Sequence, residues 1–122
     1  MQEFCKEVCV DNIKDAMRAV DLGANRIEYC SKLSEEGLTP NIEDVKYLLK
    51  NINIPLRIMI RPHSKSFNYS ETDISIMLRD ISTFKKIDID GIVIGCLNKD
   101  DEIDLKKLNL LIEKARPLKV IF

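Results

Sequence analysis

The chain has 122 residues, of which 45% are hydrophobic, 32% charged and 6% aromatic. That length fits one domain with a real core, and the composition excludes a disordered tail or a fibrous repeat. Nineteen Lys and Arg against twenty Asp and Glu give a net charge of −1, so the basic footprint of a nucleic-acid binder is absent. No apolar run approaches the roughly 20 residues of a membrane span, and residues 1–7 do not read as a secretory signal. Cys5, Cys9, Cys30 and Cys96 form no Cys-x-x-Cys pair and read as reduced cytosolic thiols.

Short apolar runs alternate with segments of helical period. The first run is Phe4 to Val10. A helix follows from Asn12 to Leu22, with Ile13, Ala16, Met17 and Val20 on one face, Asp11 as its expected N-cap and Gly23 as its stop. The second run is Arg26 to Tyr29. A polar loop then leads to Thr39-Pro40, where Thr39 or Asn41 can cap a helix carrying Ile42, Val45, Leu48 and Leu49. The third run, Leu56 to Ile60, is closed by Pro62, and a longer loop runs on to Tyr69. Ser70 to Asp73 resembles a capping box and opens a helix with Ile74, Met77, Leu78, Ile81 and Phe84 inward. The fourth run is Gly91 to Gly95. Asp104 can cap a fourth helix, with Leu105, Leu108, Leu111, Ile112 and Ala115 inward, and the fifth run is Lys119 to Phe122. This βαβαβαβαβ order, with long crossovers, requires parallel strands.

The strand runs have two unlike faces. Side chains alternate across a strand. Val8 and Val10 therefore oppose Glu7, Cys9 and Asp11. Ile27 and Tyr29 oppose Arg26, Glu28 and Cys30, and Leu56, Ile58 and Ile60 oppose Arg57, Met59 and Arg61. A flavodoxin-like sheet would bury those charges under a second helix layer, at a cost of several kcal/mol each when unpaired. A (β/α) barrel instead turns them toward a wet lumen. The pattern favours the barrel. A full eight-fold barrel takes about 250 residues, so residues 1–122 are expected to form one domain equal to the first half of a TIM barrel. Two copies that complement each other, or a fragment without activity of its own, remain alternatives.

Several motifs in order resemble the CutC family: Glu7-Val8-Cys9-Val10-Asp11, Ala24 to Ser31, Gly37-Leu38-Thr39-Pro40, Met59-Ile60-Arg61-Pro62 with Phe67 and Tyr69-Ser70, Gly91 to Gly95, and Asp104-Leu105. The resemblance runs along the whole chain. It implies a TIM barrel, usually a cytoplasmic homodimer, and a role in copper homeostasis with Cu(I) held by cysteines. No enzymatic reaction is established for that family, and a barrel enzyme of unknown reaction acting on a small anionic substrate is the alternative reading. The sequence departs from the family pattern in its loop His63 to Ser66, at Cys5 and Cys96, and in lacking the further βα units that family members carry past this point.

Two site hypotheses follow from the inward faces. Cys9, Cys30 and Met59 offer soft sulfur donors suited to Cu(I); the alternative is that these thiols are small core residues. Arg26, Arg57 and Arg61 could bind a small anionic substrate, with Glu7 or Glu28 as general acid or base; the alternative is that the same charges form internal ion pairs. Arg61, nearest the C-terminal rim, is the best placed of the three to touch a ligand. His63 sits in the loop after the third strand, where a metal or catalytic role competes with a solvated one. Phe67 and Tyr69 either line a pocket or pack the loop against the rim. The expected ligand is a copper ion or a small anion.

Overall fold

The computed structural model describes residues 4–122. Five parallel strands are joined by four α-helices: β1 Glu7–Val10, α1 Ile13–Asp21, β2 Arg26–Tyr29, α2 Ile42–Asn51, β3 Leu56–Met59, α3 Glu71–Phe84, β4 Gly91–Val93, α4 Leu105–Ala115 and β5 Lys119–Ile121. The strands lie in the sheet in chain order, each beside the next. A doubly wound sheet reverses its strand order at a switch point. This one does not, and such single winding builds barrel walls.

The helices cover one face of the sheet. The side chains beneath them, including Ile27, Tyr29, Leu56, Ile58 and Ile92, are buried in one cluster with Val45, Leu48, Met77, Ile81 and Leu111 from the helices. Each such side chain contributes about 1.5–3 kcal/mol when fully buried. On the opposite face, Glu7 and Cys9 are exposed, and Arg26, Glu28, Arg57, Met59 and Val93 are partly covered.

Each helix starts on a short polar side chain. Asn41 Oδ1 accepts from Glu43 N, and Asp104 Oδ1 accepts from Lys107 N. Ser70 and Asp73 form the reciprocal box expected from the sequence. The first helix differs from expectation. Asn12, still in extended backbone, is its N-cap and accepts from Asp15 N at 2.8 Å. Asp11 instead accepts from Leu33 N at 3.0 Å, tying β1 to the loop after β2. That bond is the main reason its carboxyl lies below the usual range. The same loop holds a 3₁₀ turn, Leu33–Glu35, that the periodicity does not announce.

One close approach demands glycine. A Cβ on Gly91 would lie 2.5 Å from the backbone oxygen of Lys119 on β5. Gly91→Ala is therefore expected to push the two strands apart and lower stability by about 1–3 kcal/mol, read as a lower urea midpoint with an unchanged m-value.

Candidate functional site

The polar face of the sheet divides into two zones. Toward the N-terminal ends of the strands lies a chain of ion pairs. Register places Glu7 beside Arg26 and Glu28 beside Arg57. Arg26 Nε donates to Glu7 Oε1 at 2.7 Å, and Arg57 Nη1 approaches the same oxygen at 3.7 Å. Arg57 Nε donates to Asp90 Oδ2 at 3.0 Å, and Lys119 Nζ stands 3.3 Å from Asp90 Oδ1. Burial would raise the Asp90 carboxyl, but hydrogen bonds from Arg57 and Lys119 outweigh it and hold the group low. Arg26, Arg57 and Glu7 are thus engaged with one another. The sequence reading missed Asp90 and Lys119, because neither belongs to the alternating pattern of the first three strands.

Glu28 is the unlike member. It sits between Cys9 and Arg57 in the sheet register. Burial first, then the charge of Glu7, raises its carboxyl above the usual range, against the pull of Arg57 and Arg26. It is the stronger of the two acid–base candidates, since Glu7 is held in ion pairs.

Toward the C-terminal ends the face turns soft. Cys9, on β1, and Cys30, just beyond β2, are near enough for each thiol to shift the other. The Cys30 thiol also donates to Val10 O at 3.6 Å. Met59 completes the group. A Cβ on Gly37 would lie 2.9 Å from Met59 Sδ and 3.2 Å from Cys30 Sγ, so those two sulfurs stand within about 6 Å of each other. Gly37 has φ of +95°, a left-handed conformation that suits glycine. A side chain there would be strained and would collide with both sulfurs.

Burial raises both thiols, pushing Cys30 up to about 12, and each cysteine feels the other. Glu28 adds to the rise at Cys9. Both are protonated thiols at neutral pH, unlike the activated thiolate of a nucleophilic cysteine. Cys5 is exposed, and Cys96 is buried in the core cluster.

The sulfurs fit a soft ion. Two sulfurs on one metal stand no further apart than about twice a metal–thiolate bond, roughly 4.6 Å. Among the described residues no three His, Cys, Asp or Glu side chains converge.

Arg61 is separate from the ion pairs. Its Nη1 donates to Glu35 O at 3.0 Å and to Gly37 O at 3.2 Å. Its guanidinium lies 4.7 Å from the Phe67 ring centroid. Both residues line a cavity with Tyr69, Met59 and Phe122 at the C-terminal ends of β3 to β5. His63 is spent on the loop itself. Its Nδ1 accepts from Lys65 N, its Nε2 donates to Asp73 at 3.1 Å, and its ring packs edge-on against Tyr69.

A singly wound parallel β/α wall, with helices on one face and its polar groups on the other, defines a protein of the TIM-barrel type. The sequence matches the CutC family over residues 4–122, and the chain belongs to that family. It is 41% identical over 119 residues to the human copper homeostasis protein cutC homolog, a match covering 98% of this chain and 44% of that protein. It is 40% identical over 114 residues to the family protein CutC of Mesorhizobium japonicum, covering 93% of this chain and 44% of that protein. The crystal structure of CutC from Streptococcus agalactiae superposes with a TM-score of 0.88 at 27% identity, covering 97% of this chain and 58% of that one. The chain spans about half the length of the curated relatives it matches.

The ion-pair chain makes a prediction about acid. A carboxyl held below its unfolded value stabilises the fold above that value, near pH 4, and loses its effect as pH falls through the folded one. Asp90→Asn is therefore expected to lower the urea midpoint at about pH 7, with the gap to the parent chain shrinking toward about pH 3.

Proposed function

We propose that this protein handles Cu(I) in copper homeostasis, binding the ion through Cys9 and Cys30. The observation that carries this reading is the meeting of two soft donors, Cys30 and Met59, at the Cβ-less Gly37, with the Cys9 thiol close enough to Cys30 to shift it. Thiolate and thioether ligands favour Cu(I) over hard divalent ions. The printed role of the human relative, copper homeostasis, points the same way. The reading includes a cytoplasmic location, where thiols stay reduced, and the homodimer implied by the family resemblance.

Because both thiols are protonated near neutrality, binding must displace their protons. Affinity therefore rises with pH. Loss of two protons makes the apparent association constant climb about a hundredfold per pH unit below the thiol pKa values.

An anaerobic Cu(I) titration against a coloured chelator tests the proposal. The parent chain is expected to take one Cu(I) per chain, more tightly at higher pH. Cys9→Ser/Cys30→Ser, shown folded by circular dichroism, is expected to lose that binding. Equal competition by both proteins would remove the copper site.

A further inference from the structure

The cavity at the C-terminal ends of β3 to β5 has a volume of about 370 Å³, in the range of small-ligand sites. Its walls are mostly apolar, with Met59, Phe67 and Phe122 among them. Glu36, Arg61 and Tyr69 interrupt that lining, and the last two each carry a buried polar atom with no hydrogen-bond partner among the described residues.

The first of these two is Arg61. Its side chain is fixed by the Glu35 and Gly37 carbonyls and by the Phe67 ring, and the residue is only 6% exposed. Its Nε is buried and has no hydrogen-bond partner among the described residues. Arg26 and Arg57, by contrast, pair with Glu7 and Asp90. No ion pair to Arg61 exists among the described residues. The second is Tyr69, 1% exposed, whose hydroxyl is also buried without a partner.

Orphaned buried donors are costly, and a buried cation without a counter-charge is more so. Here the two residues that carry such donors line one small cavity, with the donor atoms themselves just beneath its surface. The missing partner is an acceptor that carries negative charge. Nε forms half of the guanidinium edge that recognises carboxylate. Arg61 supplies a single buried positive charge, and the other charged residue in the lining is the exposed, acidic Glu36. A dianion such as phosphate would add two negative charges against that one buried cation, whereas a monoanion matches it one to one.

We propose that this cavity binds a small monocarboxylate with an apolar body, its carboxylate held by Arg61 Nε and the Tyr69 hydroxyl. The apolar body lies against the cavity's hydrophobic walls. Burial pushes the Tyr69 phenol up to about 12, with the charge of Arg61 pulling it back, so it stays a donor at neutral pH. Neither Cys9 nor Cys30 lines this site, which shares only Met59 with the copper reading.

Calorimetric titration of the chain with propionate, hexanoate and 3-phenylpropionate tests the proposal, with 3-phenylpropanamide and inorganic phosphate as comparisons. At least one of the larger carboxylates is expected to saturate a single site. The neutral amide is expected to bind at least tenfold more weakly than 3-phenylpropionate, and phosphate not to saturate. Tyr69→Phe is the decisive variant, because it removes the hydroxyl and leaves the contacts of Arg61 to Glu35 and Gly37 in place. It is expected to melt no lower than the parent, since the lost hydroxyl had no protein partner, yet to bind the carboxylate about tenfold more weakly. The proposal is overturned by the absence of saturable carboxylate binding, by equal binding of acid and amide, by preferential binding of phosphate, or by a Tyr69→Phe chain that binds as the parent does.

Discussion

The structure depends on one constraint: every strand of a parallel sheet must send alternate side chains to opposite faces, and here helices cover only one of them. The covered face carries Ile27, Tyr29, Leu56, Ile58 and Ile92 into the core. The other must be chemically tolerable with no helix over it. It meets that demand with ion pairs near the strand N-termini and with sulfur and aromatic side chains near the C-termini. The charges on the sheet are thus a consequence of its winding.

Gly37 joins the two candidate sites. Its missing side chain leaves room for Met59 Sδ and Cys30 Sγ, and its carbonyl accepts from Arg61 Nη1. The loop that holds it is anchored at several points. Asp11 takes the Leu33 amide, Ser31 and Leu38 exchange backbone hydrogen bonds, and Thr39 Oγ1 accepts from Arg61 N. Binding at either site would therefore be felt by the same short segment.

The division of labour among the three arginines is decided by partners. Arg26 and Arg57 find carboxylates across neighbouring strands and at the start of β4. Arg61, two residues beyond the end of β3, is held only by neutral carbonyls and an aromatic ring. A guanidinium satisfied by carboxylates is structural reinforcement, whereas one balanced by no anion is a reason to look for a ligand.

The sequence determined the strand and helix order, the apolar and polar faces, and two of the four helix caps, Ser70 and Asp104, because each depends on residues close along the chain. It also placed Cys9, Cys30, Met59 and Arg61 on one face, by alternation alone. Thr39 and Asn41 could not be separated as caps, nor Asp11 chosen correctly over Asn12, since adjacent polar residues compete and backbone conformation decides. Tertiary structure alone brought Asp90 and Lys119 to Arg57, folded the loop around Gly37, and set Arg61 beside Tyr69 without a counter-charge. Those outcomes rest on cross-strand register and on loops that pack over the strand ends. Neither follows a period, so neither leaves a repeating mark in the sequence.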